Sequence, residues 1–573
     1  MLQFFPISRK EMMQCGIEQL DIIIVTGDAY IDHPSFAAAM VGRYCEFLGC
    51  SVGILAMPDM ANPQAFLELG PPKLFFGVTA GNVDSMMSLF TAQKKPRSDD
   101  PYVPGGMARN RPQRATIAYC NQIRRQFKNT PIVLGGIEAS LRRISHYDYW
   151  SNTVRQSVLL DAKADMLVYG MAEHQLREII TRCKKGQNVK DMHDIPGTAV
   201  ALGKTTLQGL EFGQSIITLP SHEQVGESKD AFLQMTRLFY ENPHKGFLQH
   251  SGTRAVLVNK PPQPLTQQEF DALYDLPFTY KPHPSYAEKI PAFEQIKDSI
   301  TIVRGCFGGC NFCGLGAHQG KTIQSRSLGS IQKEVGTRAK DVNWKGIVSD
   351  VGGPTANMYA LGCKRPDMSQ PCIKRSCLVP TVCRFLETNQ SHFADVIHSV
   401  SAHKSVKHAY VNSGIRMDLA LLYPDIISVI AQKATGGQLS IAPEHIVGHV
   451  LAAMNKPQET GWEQFESLFS REGKKAGKEQ YLIPYFIAGH PGCTLKDALD
   501  LGQYLKKRNL RVRQVQEFIP IPMTVSCAMY YAGKDPFTLK NIVVSYKLSD
   551  VRAQKDAIMW WNNNSKRENI GHG

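Results

Sequence analysis

The sequence lacks the features of a membrane-spanning or secreted protein. No stretch of its 573 residues approaches the roughly 18 consecutive apolar residues that a membrane helix needs. Its first residues, MLQFFPISRKEMM, have no basic segment ahead of an apolar core, so we expect no secretory signal. We therefore expect a cytoplasmic protein that has no membrane partner.

Low-complexity tracts and short repeats are also missing, and charged residues make up only 20% of the chain, which argues against a disordered protein. The length favours two to four domains. The net charge of +14 comes mostly from pairs of basic residues spread along the chain. A basic surface could bind RNA, and solvated helix faces are the alternative interpretation.

Cysteine, in contrast, is abundant, with fourteen residues. Thiols rarely form disulfides in a reducing compartment, so clustered cysteines indicate metal or redox chemistry. One group has three members within eight residues and another has four within twenty-one: Cys306, Cys310 and Cys313, then Cys363, Cys372, Cys377 and Cys383. The other seven are scattered, and we expect them to pack as small apolar residues: Cys15, Cys45, Cys50, Cys120, Cys183, Cys493 and Cys527.

The first third of the chain alternates short apolar runs with helical patterns. Buried strands are predicted at 20–27, 51–57, 73–79, 131–136 and 164–170. Between the first two, residues 34–49 have the apolar spacing of a helix. Such alternation predicts an α/β domain over 1–183, with a Rossmann-like or flavodoxin-like parallel sheet covered on both faces.

The remainder is predicted to hold a connector and a second α/β domain. Residues 184–291 have mixed polarity and a proline-rich end, which favours an irregular crossover region. Over 292–540, strands are predicted at 298–304, 345–350, 406–413, 437–443, 480–489 and 512–520, with helices at 417–433, 460–475 and 494–508. Six such repeats predict a parallel barrel with its chemistry at the carboxyl ends of the strands. Residues 541–573 are expected to form a C-terminal tail.

The segment RGCFGGCNFCGLGAHQGKTIQSRS at 304–327 contains the three-cysteine group, directly after a predicted strand. Three thiolates cannot complete a tetrahedral zinc site, whereas a four-iron cluster held by three cysteines leaves one iron open to another ligand. The loop's glycines allow the backbone to curl round a bulky group. A zinc site completed by His318 is the alternative.

This cysteine spacing, with Phe312 just before the last cysteine, resembles the radical S-adenosylmethionine (SAM) superfamily. There, a [4Fe-4S] cluster on three cysteines binds SAM and cleaves it to a 5′-deoxyadenosyl radical. Segments at 24–36, 134–143, 146–150, 323–327, 349–359 and 476–492 together resemble the YgiQ-type radical SAM proteins over most of the chain. The resemblance implies an N-terminal Rossmann-like, cobalamin-binding-like sheet followed by a partial (β/α)6 radical SAM barrel.

The resemblance also implies which residues contact SAM. Phe312, Gly352 and Gly353 correspond to cofactor-contacting positions, although Pro354 stands where the superfamily often has a glutamate. Asp350 could supply the missing acidic contact. In addition, Arg416 and Glu444, after the third and fourth predicted barrel strands, could bind the SAM carboxylate or ribose. The segment at 487–492 resembles one that lies against adenine.

Two further cofactor sites are weaker predictions. The second cysteine group could hold an auxiliary iron–sulfur cluster or zinc, or its thiols could be unliganded. Cobalamin in the first domain lacks support, because Asp32 and His33 are adjacent and the Asp-x-His-x-x-Gly signature is missing. Polar and aromatic residues near predicted strand ends there could bind a ligand or form core hydrogen bonds: Asp28, Asp32, His33, Glu138, His146, Asp148 and Trp150.

We therefore predict a radical SAM enzyme with its cluster on Cys306, Cys310 and Cys313. The resemblance implies a one-electron donor such as flavodoxin or ferredoxin, and it implies no particular substrate. The alternatives are a methylthiotransferase-like modifier of RNA, or a cluster-bearing sensor that binds SAM without turnover. No nucleophile-elbow motif supports a hydrolase.

Overall fold

The computed structural model describes residues 2–108, 111–210, 213–367 and 372–562. The chain folds as two compact units. The first takes in residues up to Leu265 and then Ala272–Lys297, and the second takes in Thr266–Asp271 and the residues from Asp298 onward.

A nine-stranded sheet forms the centre of the first unit. In order across the sheet, its strands are Ile216–Thr218, Gly246–Ser251, Arg254–Val258, Thr198–Leu202, Met166–Val168, Ile132–Leu134, Phe75–Thr79, Ile22–Thr26 and Val52–Ala56. The five that come first in the chain are parallel and lie in the order 2-1-3-4-5, the flavodoxin-like arrangement. The predicted Rossmann-like parallel sheet is confirmed, with each of its five strands inside its predicted range.

These five strands are almost entirely buried, as their runs of apolar residues require in a sheet that is covered on both faces. The helices of the first unit include Arg9–Gln14, Ala37–Phe47, Ser85–Leu89, Ala115–Gln126, Gly136–Ser140, Val158–Asp161, Glu173–Lys184, Lys204–Gly209, His222–Glu227, Lys229–Glu241 and Pro291–Ile296. The helix predicted at 34–49 corresponds to Ala37–Phe47.

The region 184–291 differs from the predicted irregular connector. Four strands between 198 and 258 extend the sheet, beginning with Thr198–Leu202 antiparallel to Met166–Val168. The outermost pair, Ile216–Thr218 with Gly246–Ser251, is parallel. The proline-rich end is ordered as well: helix Gln267–Tyr274 lies there, and Lys281–Pro282 pairs with Ile31–Asp32. Thr198–Leu202 and Arg254–Val258 are short apolar runs and are mostly buried, but they stand in a region of mixed polarity.

The second unit contains the predicted partial barrel. Its strands, called the first to sixth barrel strands here, are Ser299–Thr301, Ile347–Val348 with Asp350–Gly352, His408–Ala409, Gln438–Glu444, Tyr481–Ala488 and Val515–Glu517. Each is parallel to its neighbours: strand pairings join the first three and the last three, and a bridge from Ile415 to Ile441 joins the two sets. Four of the six lie within the predicted ranges, and the second and fourth extend past them, to Gly352 and Glu444.

Helices follow the barrel strands and cover a core of Ile, Val, Leu and Phe side chains. They include Leu328–Arg338, Ser391–Ala402, Met417–Ala420, Asp425–Val429, Gly448–Ala453, Trp462–Lys475, Leu495–Lys507, Val525–Ala532 and Leu548–Ile558. The predicted helix at 417–433 is broken into two short helices and a π-helical turn, Ile430–Ala434.

The predicted tail at 541–573 contains helix Leu548–Ile558 in its described part, and Ile558 is fully buried in the barrel core. Residues 563–573 lie outside the described residues. Among the helices that the structure describes, none is long and apolar enough to cross a bilayer.

Candidate metal and cofactor site

The three-cysteine loop is closed at its base by a short hairpin. Strand Val303–Arg304, just after the first barrel strand, pairs with Gln324–Ser325 on the other side of the loop. Gly305 begins the loop with φ +86°, and a Cβ there would lie 2.2 Å from the Thr322 carbonyl oxygen. Only glycine permits this closure, so the backbone itself requires the glycine that precedes Cys306.

Arg416 lies against the cysteines of this loop. Its Nη1 is 3.5 Å from the Cys310 Sγ, and the Cys306 Sγ is 3.8 Å from the Thr355 hydroxyl. A Cβ at Gly308 would lie 2.5 Å from the Arg416 Nη1 and 3.4 Å from the Cys306 Sγ. The loop therefore curls closely round a guanidinium, with two thiols beside it and a glycine where a side chain would not fit.

Burial governs the protonation of the free thiols. It raises the pKa of Cys306 despite the opposing charge of Arg416. It raises the pKa of Cys313 to about 12, and the charges of Cys310 and Glu444 add to this effect. These thiols are neutral without a metal, so a metal that binds here must displace their protons.

Three cysteines in one short loop are a donor set that fits a [4Fe-4S] cluster. Among the described residues, no three His, Cys, Asp or Glu side chains are placed to hold one metal ion. A zinc site completed by His318 would need such an arrangement. A four-iron cluster instead accepts each cysteine on a different iron, and three cysteines leave one iron open for SAM.

Arg416 was expected to contact SAM, but most of its donors are already engaged. Its Nε and Nη2 donate to the Asp418 carboxylate at 3.0 and 2.5 Å. Its backbone N–H and carbonyl both bond to the Asn357 side chain at 3.0 Å. The free edge of the guanidinium faces Cys310, so this arginine is placed to hold a thiolate.

Gly352 and Gly353 are explained by close packing at the end of the second barrel strand. A Cβ at Gly352 would overlap the Ser413 hydroxyl and the Asp350 carboxylate, and one at Gly353 would lie 2.5 Å from the Val303 carbonyl oxygen. The Asp350 carboxylate accepts N–H bonds from Asn412 and Ser413 at 2.8 and 3.0 Å. Asp350 thus anchors the end of the third barrel strand.

Glu444 remains a candidate for contact with SAM. It ends the fourth barrel strand with φ +67°, an unfavourable conformation for a non-glycine residue. Burial raises the pKa of its carboxyl, while Lys456 and Arg416 oppose the rise. The Lys456 ammonium is 3.8 Å from the carboxylate. A strained, buried carboxylate beside two cations is typical of a functional site.

Phe312 packs edge-on against the His490 ring, with 6.0 Å between centroids. His490 accepts a hydrogen bond from the Ser526 hydroxyl at Nε2 and donates Nδ1–H to the Pro491 carbonyl, both at 2.7 Å. Burial lowers the pKa of His490 to about 3, so the ring is neutral. The segment expected near adenine therefore supports the aromatic residue of the cysteine loop.

Several residues of the site escaped sequence reasoning. Asp418 stands two positions after Arg416 and could have been recognised from that spacing. Thr355 and Lys456 carry no motif, because they reach the site from loops after the second and fourth barrel strands. Asn311, between two of the cysteines, bonds to the Met454 and Ala453 backbones at 2.9 Å and so anchors the loop.

The remaining cysteines divide by burial. Five of the seven scattered cysteines are buried as expected, whereas Cys183 is half-buried and Cys15 is exposed. In the four-cysteine group, Cys363 and Cys372 are exposed and Cys377 and Cys383 are half-buried.

Most of the polar residues singled out in the first unit have hydrogen-bond partners within the core. Asp32 forms an ion pair with Arg43 at 2.6 Å, and Asp148 forms one with Arg114 at 2.5 Å. The Asp148 carboxylate also accepts a hydrogen bond from the backbone N–H of Trp150. The Glu138 carboxylate accepts hydrogen bonds from the Ser85 and Thr116 hydroxyls, both at 2.6 Å. His146 Nδ1 lies 3.2 Å from the Ile144 carbonyl oxygen, and the His33 ring packs edge-on against Tyr280. These contacts favour the core hydrogen-bonding interpretation.

The crevice where a flavodoxin-like sheet binds its ligand is filled. It lies between the carboxyl ends of Ile22–Thr26 and Phe75–Thr79, where the strand order reverses. Arg111 occupies it and donates to Asp28 at 2.9 Å, Asp100 at 2.7 Å and the Ala80 carbonyl at 2.7 Å. A Cβ at Gly81 would lie 2.1 Å from the Asp28 carboxylate. These residues do not fit cobalamin at that position.

Comparison with known proteins places this geometry in context. Residues 4–299 match the family model described as radical SAM N-terminal, and residues 513–565 match a domain of unknown function, DUF3362. A UPF0313 protein of Geobacter sulfurreducens is 43% identical over 99% of this chain and 94% of its own length. A UPF0313 protein of Methanosarcina acetivorans is 43% identical over 97% of this chain and 78% of its own length.

The fold is similar to that of a solved enzyme. The radical SAM methyltransferase TsrM of Kitasatospora setae, solved with tryptophan and a SAM analogue, matches with a TM-score of 0.50 and 14% identity, over 90% of this chain and 77% of its own. A second structure of TsrM, with cobalamin and a [4Fe-4S] cluster, matches equally well at 15% identity, over 89% and 78%. At this identity the likeness shows the fold alone.

Proposed function

Because the chain belongs to the UPF0313 family of YgiQ-type radical SAM proteins, and so to the radical SAM class of enzymes, we propose that it cleaves SAM reductively. Cys306, Cys310 and Cys313 would hold a [4Fe-4S] cluster for this reaction. The radical so formed would act on a substrate at the carboxyl ends of the barrel strands.

One observation carries the proposal: the cysteine loop curls round Arg416 with a glycine at its closest point. The Arg416 Nη1 is 3.5 Å from the Cys310 Sγ, and Gly308 has no room for a side chain. The thiolate is the form that ligates iron. The Arg416 guanidinium opposes the effect of burial on the pKa of Cys306 and so eases loss of the thiol proton when iron binds. Asp418 holds the guanidinium in that place through two hydrogen bonds.

When bound, the cluster and SAM supply one-electron chemistry that produces a 5′-deoxyadenosyl radical. The chain's own residues bind, orient and shield these groups. The three cysteines hold the iron, and Asn311 and Gly305 set the shape of the loop. Phe312 and the neutral ring of His490 pack against each other beside the loop, where they would shield it from water. Glu444, held near Lys456, is placed to accept hydrogen bonds from ribose hydroxyls.

The test is anaerobic reconstitution of the full chain with iron and sulfide, followed by reduction with dithionite in the presence of SAM. We expect a brown protein that releases 5′-deoxyadenosine, measured by chromatography. Flavodoxin or ferredoxin should replace dithionite as the one-electron donor.

Cys310→Ala removes a ligand at the centre of the loop, and we expect it to release no 5′-deoxyadenosine. Cys15→Ala is the matched control, because Cys15 is exposed in the first unit and should leave cleavage unchanged. Retained cleavage in Cys310→Ala would overturn the cysteine assignment. Stoichiometric SAM binding without 5′-deoxyadenosine in the native chain would identify a sensor instead of an enzyme.

A further inference from the structure

Cysteines 363, 372, 377 and 383 form a second set of neighbouring thiols in the second unit. Cys363, Cys372 and Cys383 each lie close enough to Cys377 for their charges to act on its thiol. None of them forms a disulfide. The set lies in the insertion between the second barrel strand and helix Ser391–Ala402. Residues 368–371 of this insertion lie outside the described residues.

Backbone hydrogen bonds bring this set together. The Cys383 N–H donates to the Cys377 carbonyl at 2.8 Å and closes a turn between these two cysteines. Cys363 forms an antiparallel bridge with Leu386, three residues beyond Cys383. The Lys364 N–H donates to the Phe385 carbonyl at 2.7 Å on the same hairpin. Backbone contacts within the insertion therefore fix the positions of Cys363, Cys377 and Cys383.

Cations lie near three of the four thiols. The Lys374 ammonium donates to the Cys383 Sγ at 3.4 Å, and the charge of Lys321 acts on Cys372 and Cys377. Arg384 follows the last cysteine directly. Four thiolates that bind iron leave a net negative charge, and these cations offset it.

The arrangement favours a multinuclear cluster over a single zinc ion. Four thiolates bound to one zinc at about 2.3 Å lie roughly 3.8 Å from one another. No three such ligands converge in this way among the described residues. The spacing also lacks the paired Cys-x-x-Cys steps of zinc ribbons. An iron–sulfur cluster accepts four cysteines that are set farther apart.

We propose that Cys363, Cys372, Cys377 and Cys383 bind a second [4Fe-4S] cluster, closed by four cysteines and therefore unable to bind SAM. The site is independent of the proposed SAM-cleaving cluster in its ligands. It goes beyond the proposed function, which needs only the first three cysteines.

The second site lies directly beside the first loop. The Cys377 N–H donates to the Phe307 carbonyl at 3.1 Å, and the Ser376 hydroxyl donates to the Gly308 carbonyl at 2.7 Å. A Cβ at Gly309 would lie 2.3 Å from the Arg375 carbonyl oxygen. The insertion thus supports the backbone between Cys306 and Cys310, and a cluster bound in it would stiffen that support.

The experiment counts iron and acid-labile sulfide in the full chain after anaerobic reconstitution with ferrous iron and sulfide. Two clusters require about eight iron atoms per chain. Cys310→Ala and Cys363→Ser should each reduce the iron content by half, and the double variant should remove nearly all of it. Cys363 is the residue of choice because it is exposed, so its loss disturbs folding least. Cys15→Ala is the control and should match the native chain.

Electron paramagnetic resonance separates the two sites. In Cys310→Ala, the spectrum of the remaining reduced cluster should not change when SAM is added, because four cysteines leave no open iron. In Cys363→Ser, the spectrum should still respond to SAM, and cleavage should persist at a reduced rate.

A native chain with about four iron atoms, unchanged in Cys363→Ser, would overturn the second cluster. One zinc ion per chain that is lost in Cys363→Ser would overturn the choice of metal. If the native chain binds about eight iron atoms but does not cleave SAM, the proposed function is wrong and the second cluster site is still supported.

Discussion

The two units both place polar residues at the carboxyl ends of parallel strands, but they use them differently. In the first unit, Arg111 spans Asp28 and Asp100 with bonds of 2.9 and 2.7 Å. In the second unit, the side-chain contacts of Cys306 and Cys310 are long, 3.8 Å to Thr355 and 3.5 Å to Arg416.

The difference distinguishes a structural polar network from a ligand site. A buried ion pair whose hydrogen bonds are all made has no capacity left for a ligand, and loss of one partner is costly. Thiols with weak contacts inside a glycine-lined loop keep their ligating atoms available. The position at a strand end, which the two regions share, does not by itself indicate binding.

The largest expected effect is loss of all SAM cleavage in Cys313→Ala, which removes an iron ligand. The melting temperature of the unloaded chain should stay within a few degrees of the native value, because this thiol makes no strong bonds. Chromatography of 5′-deoxyadenosine and thermal unfolding without iron measure the two effects. A Cys313→Ala variant with a much lower melting temperature that still cleaves SAM would contradict this prediction, because Cys313 would then be a structural residue and not an iron ligand.

Arg111→Met should show the opposite pattern. It leaves Asp28 and Asp100 buried without their partner, so the free energy of unfolding should fall by about 3–5 kcal/mol. Urea unfolding of the full chain measures the loss. Arg125→Met, at an exposed position, is the matched control and should change stability little. A loss in Arg111→Met as small as that of the control would show that the crevice is not closed by this ion pair.

Gly308→Ala tests how tightly the cysteine loop of the second unit packs against Arg416. Its Cβ would lie 2.5 Å from the Arg416 Nη1, so the loop or the guanidinium must shift, and SAM cleavage should fall roughly tenfold. Gly316→Ala is the control, since a Cβ there meets nothing within 4 Å. Equal rates in the two variants, measured at matched iron content, would contradict the tight fit round Arg416.

His146→Asn gives the smallest effect and concerns the first unit's polar network. Burial lowers the pKa of His146 to about 3, with Arg142 and Arg155 adding to the shift and Asp148 opposing it. The unfolded chain takes up a proton near pH 6.5 and the folded chain does not, so stability falls as the pH drops.

The native chain should therefore lose about 1 kcal/mol through His146 between pH 6.5 and 5.5, and His146→Asn should lose that much less. Urea unfolding at the two pH values provides the measurement. Parallel pH profiles for the native chain and the variant would show that His146 is not held neutral.

Much of the fold was predictable because buried parallel strands have a strong local signal. Runs such as IIIVT at Ile22–Thr26 are apolar on both faces, so each predicted its own strand. The strands from Thr198–Leu202 to Arg254–Val258 were missed, because their short apolar runs stand among polar segments and their pairing in the sheet is set by distant residues. Helix Leu548–Ile558 was missed because its apolar residues are few and its burial depends on the barrel.

The candidate site was only partly predictable. The cysteine triplet and its glycines are contiguous, so their chemistry was evident from the sequence. The sequence did not show that Asp418 and Asn357 hold Arg416 against Cys310, and its contact with SAM stays a prediction. Gly352 and Gly353 are required by the packing of neighbouring strand ends. Such constraints come from atoms far away in the sequence.

The sequence by itself determined the ligand chemistry: three cysteines at short spacing after a strand, in a loop whose glycines permit the turn. That information is local, since a metal-binding loop needs few residues. Only the tertiary structure decided which polar groups were already paired. Arg111 reaches Asp28 across 83 positions of sequence because the strand order places the two ends of the crevice side by side. Whether a strand end binds a ligand depends on the partners that the fold brings to it.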